Sequence, residues 1–595
     1  MRLAGLVAIQ MLVAATLAAT AWVAGRLTLR ACRLPADVVP ASLTLAAGLM
    51  VLAQVTLALG LLGALRAPVV GAFTGLVLIA GLLERYRTTG WGAGRDSVLL
   101  GVALVLIAIP GAVLTLYPPL GFDQTLYHLP TSRAFAASGG VPFLPALRYP
   151  IFPPLAEVLN AAILTLATDV ATQTAGWLAL VAGLGLVYTW AREQSTPAGG
   201  WLAVGALAGS PMAWYLASTG YVEPLLALFG LGASYAAARA RGNAAIGWLV
   251  LAGALAGSAA SVKYLGLYFV PAAAIVACAR PPWGRAVRRG ALYGVAAGAA
   301  MLLGYGRLVA HTGNPLFPFY PELFGPSPWA AQEFLGRRGV ERLSAAATVL
   351  WDATFRPDRV GGLPPFSAAI ALGVPFVAVA MWRRPPLAMV VGLTVGYLAL
   401  APVHAHYLLA IVPVWCVAIG ASGGVLCPSP IGRRALIAGA LALAAWGDWF
   451  AVDRVRALGS PPTTVEARGQ LLTVQRPLYP AVDFLNRTAP GAVVYGVGAE
   501  NMVDDRIGPL LGDLNGPVSH ARMQALVMAR GSVAAALDEI GAGYLLVREE
   551  GSTWSAWWRS DPRLGRVYAD RQASVYRVIP AAPAAPGSGA RPRPD

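Results

Sequence analysis

The sequence predicts a polytopic α-helical membrane protein of about fourteen transmembrane helices, followed by a small α/β domain. Three observations carry this. Composition is the first: 57% of the 595 residues are hydrophobic and 12% are charged, whereas a soluble domain carries roughly 45–50% and 25%. Mean hydropathy is +0.62. The second is that apolar runs of roughly 18 residues or more recur along the chain, each long enough to cross a ~30 Å hydrocarbon core. The third is arginine, which falls in short clusters between those runs.

The expected spans are residues 3–25, 40–63, 68–84, 97–117, 170–190, 199–217, 221–239, 244–260, 262–279, 289–310, 366–382, 386–403, 405–424 and 434–451. If they alternate in that order, one set of loops collects Arg26, Arg30, Arg33, Arg85, Arg87, Arg95, Arg192, Arg239, Arg241, Arg280, Arg285, Arg288, Arg289, Arg383, Arg384, Arg433 and Arg434. That side is the cytoplasm. The formal charge of +16 is then a topology signal, and no nucleic-acid partner is expected. The parity holds when residues 153–168 do not cross. Their apolar stretch is short and carries Glu157 and Asn160, so an interfacial helix is expected. The first 25 residues also read as a secretory signal peptide, an alternative to a first span. Cys32, Cys278, Cys416 and Cys427 show no paired spacing and read as scattered helix residues.

This orientation places residues 118–169, 311–365 and everything after about 452 outside. After 452 the composition changes. AVVYGVG (492–498), GYLLVRE (543–549) and the pair around RVYADRQASVYRVI read as strands, and AVDFLNRT reads as a helix. The expected organisation is an N-terminal set of helices over 1–96, a membrane core over 97–452, a soluble extracytoplasmic α/β domain over 453–579 and a disordered tail over 580–595.

Ionisable groups near spans are few, and each needs a reason. Asp123 lies in GFDQTLYHLP (121–130), just beyond the fourth run. As a helix N-cap it would satisfy free backbone N–H groups. As a functional acid it would share a helical face with Tyr127 at i+4, with His128 pointing elsewhere and Arg133 able to pair with a phosphate. Lys263 is the sole lysine of the chain. It reads either as a snorkelling interface residue or as a compact cation for a phosphate. Glu223 starts a span in STGYVEPLLALF, where headgroups would solvate it. His311 opens the Pro- and aromatic-rich HTGNPLFPFYPELFG, and Asp352 and Arg356 follow in the same outer loop. His404 and His406 are two residues apart, which on a helix puts them on different faces and disfavours a metal pair.

The order GFDQTLYHLP, RYPIFPPLAEVL, YVEPLLALF, SVKYLGLYFVP and TGNPLFPF, covering about residues 97–425, resembles the GT-C fold glycosyltransferases that use polyprenyl-phosphate-linked donors, the group containing aminoarabinose and protein O-mannosyl transferases. The resemblance implies a lipid-linked sugar donor in the outer leaflet. It implies Asp123 as general base, Lys263 at the donor phosphate, and Tyr127, His128, Arg133, Glu157, Tyr221, Glu223, Tyr264, His311, Asn314 and His406 as binding residues. Two departures stand out: Gln124 follows Asp123 where many relatives have a second acid, and His406-Tyr407 stands where an Arg-Tyr pair is common. Sugar transfer from a phosphate carrier needs a base for the acceptor hydroxyl and a cation for the leaving phosphate, and Asp123 and Lys263 supply one of each. The expected function is therefore glycosyl transfer to a glycan, lipid or protein acceptor, at the outer face of a bacterial inner membrane. No ligand cluster supports a metal cofactor. A transporter or lipid flippase is the alternative, but its charges belong near the midplane and in repeated halves.

Overall fold

The computed structural model describes residues 3–35, 38–87, 95–279, 283–329, 340–383, 392, 396–398, 404–549 and 559–580. The expected span 386–403 and the tail 580–595 lie largely outside the described residues. The chain divides into two compact units. The first holds residues 1–124, 128–143 and 151–468; the second holds 125–127, 144–150 and 469–595.

The first unit is helical. Its opening helices are α1 (Leu3–Ala31), α2 (Ala41–Leu61), α3 (Ala67–Arg87) and α4 (Arg95–Leu114), followed by α5 (Leu129–Ser138) and α6 (Leu155–Leu166). Then come α7 (Gln173–Gln194), α8 (Pro197–Ala208), α9 (Pro211–Ser218), α10 (Glu223–Arg239), α11 (Ala245–Val262), α12 (Phe269–Cys278) and α13 (Ala286–Thr312). The later helices are α14 (Pro321–Phe324), α15 (Val340–Phe355), α16 (Ala368–Leu372), α17 (Val374–Arg383), α18 (Val412–Leu426) and α19 (Pro430–Leu458). Among the described residues, six helices are long and apolar enough to cross a membrane, or seven segments if the bent pair α9–α10 is one span. Other expected spans correspond to shorter or interrupted helices. The run 199–217 splits at Gly209-Ser210-Pro211, because Pro211 has no N–H to continue the ladder of α8. The run 262–279 begins as a 3₁₀ turn, Tyr264–Tyr268, before α12.

Residues 153–168 differ from the interfacial helix expected. Every residue of α6 from Leu155 to Ile163 is buried, and the helix packs against α2 and α5. The polar residue that argued for the headgroup region, Glu157, has a protein partner in His128 (2.6 Å).

Backbone contact through glycine sets the helix spacing. On α11, a Cβ added at Gly253 or at Gly257 would fall 2.3 Å from the Tyr293 or Ala297 carbonyl oxygen of α13. This small-residue pair lets the two helices touch, as small-xxx-small pairs do in membranes. The close approach also sets the position of Lys263, which caps the C-terminus of α11.

The second unit carries a five-stranded sheet of β1 (Val494–Val497), β2 (Leu510–Leu511), β3 (Tyr544–Arg548), β4 (Leu564–Ala569) and β5 (Ala573–Val578). The order is β2-β1-β3-β5-β4. β1 pairs parallel with β2 and β3, and β5 pairs antiparallel with β3 and β4. The two-residue period sorts side chains onto two cores. Tyr495, Val497, Leu545 and Val547 face one cluster with Met523, Val527 and Leu537. Val494, Leu546 and Val575 face the other with Leu478, Val482 and Leu485. The expected strands and the helix Tyr479–Thr488 are thus present.

One carboxyl of this unit is held in an unusual state. Asp513 has a left-handed backbone (φ 49°). Burial pushes its carboxyl up to about 7, and Glu500 adds to this against the N–H groups of Ala499 and Gly498. A folded-state value above the unfolded one means stability that is full below about pH 4 and lost as pH rises through about 7. Opening free energies of β1 and β3 amides, from hydrogen exchange, should therefore fall from pH 5 to pH 7 by up to ~1.4 kcal/mol per pH unit. Asp513→Asn, which tolerates the same backbone, should flatten that slope.

The glycine contact gives a second expectation. Gly257→Ala should lower the melting temperature of the purified chain, because the Cβ meets backbone 2.3 Å away and overpacking costs roughly 1–3 kcal/mol. Gly298→Ala, on α13 and facing open space, should be neutral or stabilising by up to ~1 kcal/mol.

Candidate active site

The site is built where one helix breaks. α9 and α10 bend by 113° across residues 219–222. Gly220 takes φ +66°, and a Cβ there would strike the Gln124 amide at 2.3 Å, so the turn requires glycine. Pro224 then opens α10 in its first turn. The break brings Tyr221 and Glu223 inward, 4% and 0% exposed. Glu223 sits in the first turn of α10, where the helix dipole favours a negative charge.

α11 ends opposite. Lys263 is its C-cap, in extended conformation. Its Nζ meets Glu223 Oε1 at 2.6 Å and lies 4.6 Å from the centre of the Tyr407 ring, within cation–π range. Tyr407 is held in turn: the Tyr397 hydroxyl donates to its carbonyl at 2.9 Å. The preceding residue, His406, directs Nε2 to Asp123 Oδ2 at 3.7 Å. The backbone N–H of Asp123 donates to the Tyr221 hydroxyl at 3.3 Å. Gly121 allows this approach, since a Cβ there would lie 2.7 Å from the Tyr221 ring. Asp123, Tyr221, Glu223, Lys263, His406 and Tyr407 therefore form one cluster drawn from four places in the sequence.

Asp123 stands at the start of the turn Gln124–His128, which is π-helical, and its side chain makes no capping hydrogen bond. π turns recur at functional sites. Tyr127, expected on the same helical face as Asp123, lies inside this π turn. Tyr127 belongs with the second unit, where its ring meets Tyr149 edge-on at 5.0 Å. His128 is 2% exposed and bound to the fully buried Glu157.

The remaining candidates are placed elsewhere. Arg133 pairs with Asp169 at 2.8 Å. Tyr264 donates to the Phe317 carbonyl at 2.6 Å, and Asn314 holds the same loop through Leu316 N–H (2.7 Å) and the Phe319 carbonyl (2.9 Å). Both act on the shape of the loop. His311 is exposed and stacks on Phe143. Asp352 is buried on α15. Among the described residues, no three His, Cys, Asp or Glu side chains gather as a metal site. Sequence reasoning missed Tyr397 and Arg307. Arg307 left a readable signal as a lone arginine inside the apolar run of α13; it is buried and donates to the carbonyls of Val141 (2.8 Å) and Pro142 (2.7 Å).

Residues 152–305, about a quarter of the chain, match the family model of dolichyl-phosphate-mannose-protein mannosyltransferase. The fold resembles that of ArnT from Cupriavidus metallidurans bound to undecaprenyl phosphate: 16% identity over 81% of this chain and 98% of that one, with a TM-score of 0.52. The apo form of the same protein gives 15% identity, coverage of 80% and 97%, and a TM-score of 0.53. The chain has the GT-C glycosyltransferase fold. An oligosaccharyltransferase of Archaeoglobus fulgidus aligns at 12% identity, over 80% of this chain and 73% of that one, with a TM-score of 0.48. No curated protein sequence matches the chain. The matched residues include the helix break, Glu223 and Lys263.

The Lys263–Glu223 pair corrects the expectation of two separate interface residues. Glu223 is fully buried, not solvated by headgroups, and Lys263 retains 17% side-chain exposure. Removing one partner strands a buried charge, which costs roughly 3–5 kcal/mol. Lys263→Met should therefore lower the melting temperature markedly, and Lys263→Met with Glu223→Gln should recover most of the loss. Thermal unfolding of the three chains in one detergent measures this.

Proposed function

We propose that the protein transfers a glycosyl group from a polyprenyl-phosphate-linked donor to an acceptor hydroxyl, at the extracytoplasmic face of the membrane. The observation that carries this reading is the juxtaposition of a reachable carboxylate, Asp123 (18% side-chain exposure), with a cluster holding a buried-partnered ammonium, Lys263. The undecaprenyl phosphate bound by the ArnT of similar fold supports the donor class.

The chemistry follows from the groups present. Asp123 takes the proton of the acceptor hydroxyl, and the resulting oxygen attacks the anomeric carbon. The bond from that carbon to the phosphate oxygen breaks, and its electron pair leaves with the phosphate. An ammonium has three N–H donors. Glu223 takes one from Lys263, which leaves the others for the departing phosphate while the carboxylate fixes the direction of Nζ. Such a preorganised cation acts where charge develops. His406 lies beside the base, its Nε2 3.7 Å from Asp123 Oδ2. Glu157 and His128 anchor the turn that carries Asp123.

Asp123→Asn keeps the shape of the residue and loses proton acceptance. Release of polyprenyl phosphate from a glycosylated carrier, measured on purified chain, should fall roughly 10²–10⁴-fold, with expression and melting temperature unchanged. Activity within a few-fold of the parent would remove Asp123 from the mechanism.

A further inference from the structure

The backbone of Asp123 is tied to a residue outside the charged cluster. Its N–H donates to the Tyr221 hydroxyl at 3.3 Å, and Tyr221 is 4% exposed. A buried hydroxyl that accepts at its oxygen still has one proton to place. Tyr221 places it on Tyr215, whose oxygen accepts a side-chain hydrogen bond from it. The two rings stand 5.8 Å apart, inclined at 50°. The donors therefore run in one order, from the Asp123 backbone to Tyr221 and from Tyr221 to Tyr215.

Tyr215 is a fixed post. It sits on α9, before the 113° bend, whereas Tyr221 sits in the bend itself. Thr219 Oγ1 donates to the Tyr215 carbonyl at 2.5 Å, and Ser218 Oγ donates to the Trp214 carbonyl at 2.7 Å. The neighbouring Trp214 is fully buried, and its Nε1 donates to the Ala208 carbonyl of α8 at 2.7 Å. The first loop lies against the same bend, since a Cβ on Gly121 would fall 3.0 Å from the Thr219 carbonyl oxygen. Tyr215 also borders a small cavity of about 60 Å³, which it lines with Tyr117, Gln173, Thr219, Phe450 and Arg454. A ring beside a cavity can lose its hydroxyl without crowding its neighbours.

We infer that Tyr215 is a positioning residue for Asp123 and acts through the Tyr221 hydroxyl. A hydroxyl hydrogen rotates to suit its surroundings. With Tyr215 as its acceptor, the Tyr221 proton is turned away from Asp123 and a lone pair is kept toward the Asp123 N–H. The base is then held by its backbone to α9, while its carboxylate stays open to the acceptor. A base displaced from its working geometry loses rate without losing its chemistry. The catalytic consequence rests on the glycosyl-transfer reading; the hydrogen bonds do not.

The test uses the full chain in detergent and follows hydrogen exchange of the Asp123 amide. Tyr215→Phe keeps the ring and removes the oxygen. Exchange at Asp123 should quicken about fivefold, the effect of one neutral hydrogen bond, with the melting temperature unchanged. In a Tyr221→Phe chain the Asp123 N–H has already lost its acceptor, so adding Tyr215→Phe should change nothing more. A role in packing alone would not produce that dependence. Release of undecaprenyl phosphate from mannosyl undecaprenyl phosphate should fall roughly tenfold in kcat for Tyr215→Phe, with KM unchanged. Unchanged exchange at Asp123 in Tyr215→Phe, or a further rise when it is added to Tyr221→Phe, would overturn the inference. So would full release by Tyr215→Phe where Asp123→Asn abolishes release. If Asp123→Asn also leaves release intact, the glycosyl-transfer reading falls, and the exchange result still decides whether Tyr215 holds Asp123.

Discussion

Two charges that neither helix could bury alone organise the membrane unit. Glu223 opens α10 with no solvent exposure, and Lys263 closes α11 with its ammonium 2.6 Å away. Desolvating either group alone costs several kcal/mol. The pair therefore ties the beginning of one helix to the end of another and fixes their relative height. Everything else at the site is referenced to it: Tyr407 under the ammonium, His406 beside Tyr407, Asp123 facing His406, and Tyr221 receiving the Asp123 N–H.

The pair can form because backbones approach closely around it. Glycines on α11 let α13 touch its backbone, and the missing Cβ atoms at Gly121 and Gly220 let the first loop, through Gln124, approach Tyr221 and the helix break. The 113° break between α9 and α10 then turns a helix start into the floor of a site. In a membrane, interrupted backbone is tolerated only where it lines a protein cavity, so an interruption flanked by buried acids and tyrosines is a physical mark of function. Unlike a transporter with charges distributed over repeated halves, this chain gathers them at one end of α10 and α11.

The GT-C fold explains why so little sequence identity accompanies so similar a fold. At 15–16% identity, the shared content is the fold. Most lipid-facing positions ask only for apolarity, and many residues satisfy that demand equally well. At the site itself, an imidazole, His406, faces Asp123.

Composition and apolar run length determined by themselves that this is a multi-pass helical membrane protein, because apolar length is a property of sequence segments alone. The α/β character of the C-terminal unit was legible for the same reason: a two-residue period is local, and Val494–Val497 and Tyr544–Arg548 display it. Asp123 and Lys263 were visible as rare polar residues at the ends of apolar runs. Tertiary structure decided what they touch. No local pattern announces that Glu223 meets Lys263 across 40 residues or that Glu157 meets His128 across 29. The sequence suggested an interfacial segment at 153–168 because it showed Glu157 without its partner. It likewise suggested an α-helical turn after Asp123, whereas residues Gln124–His128 form a π turn. Long-range pairing of charges in a low-dielectric interior is decided by three-dimensional proximity, and proximity is what a linear pattern leaves open.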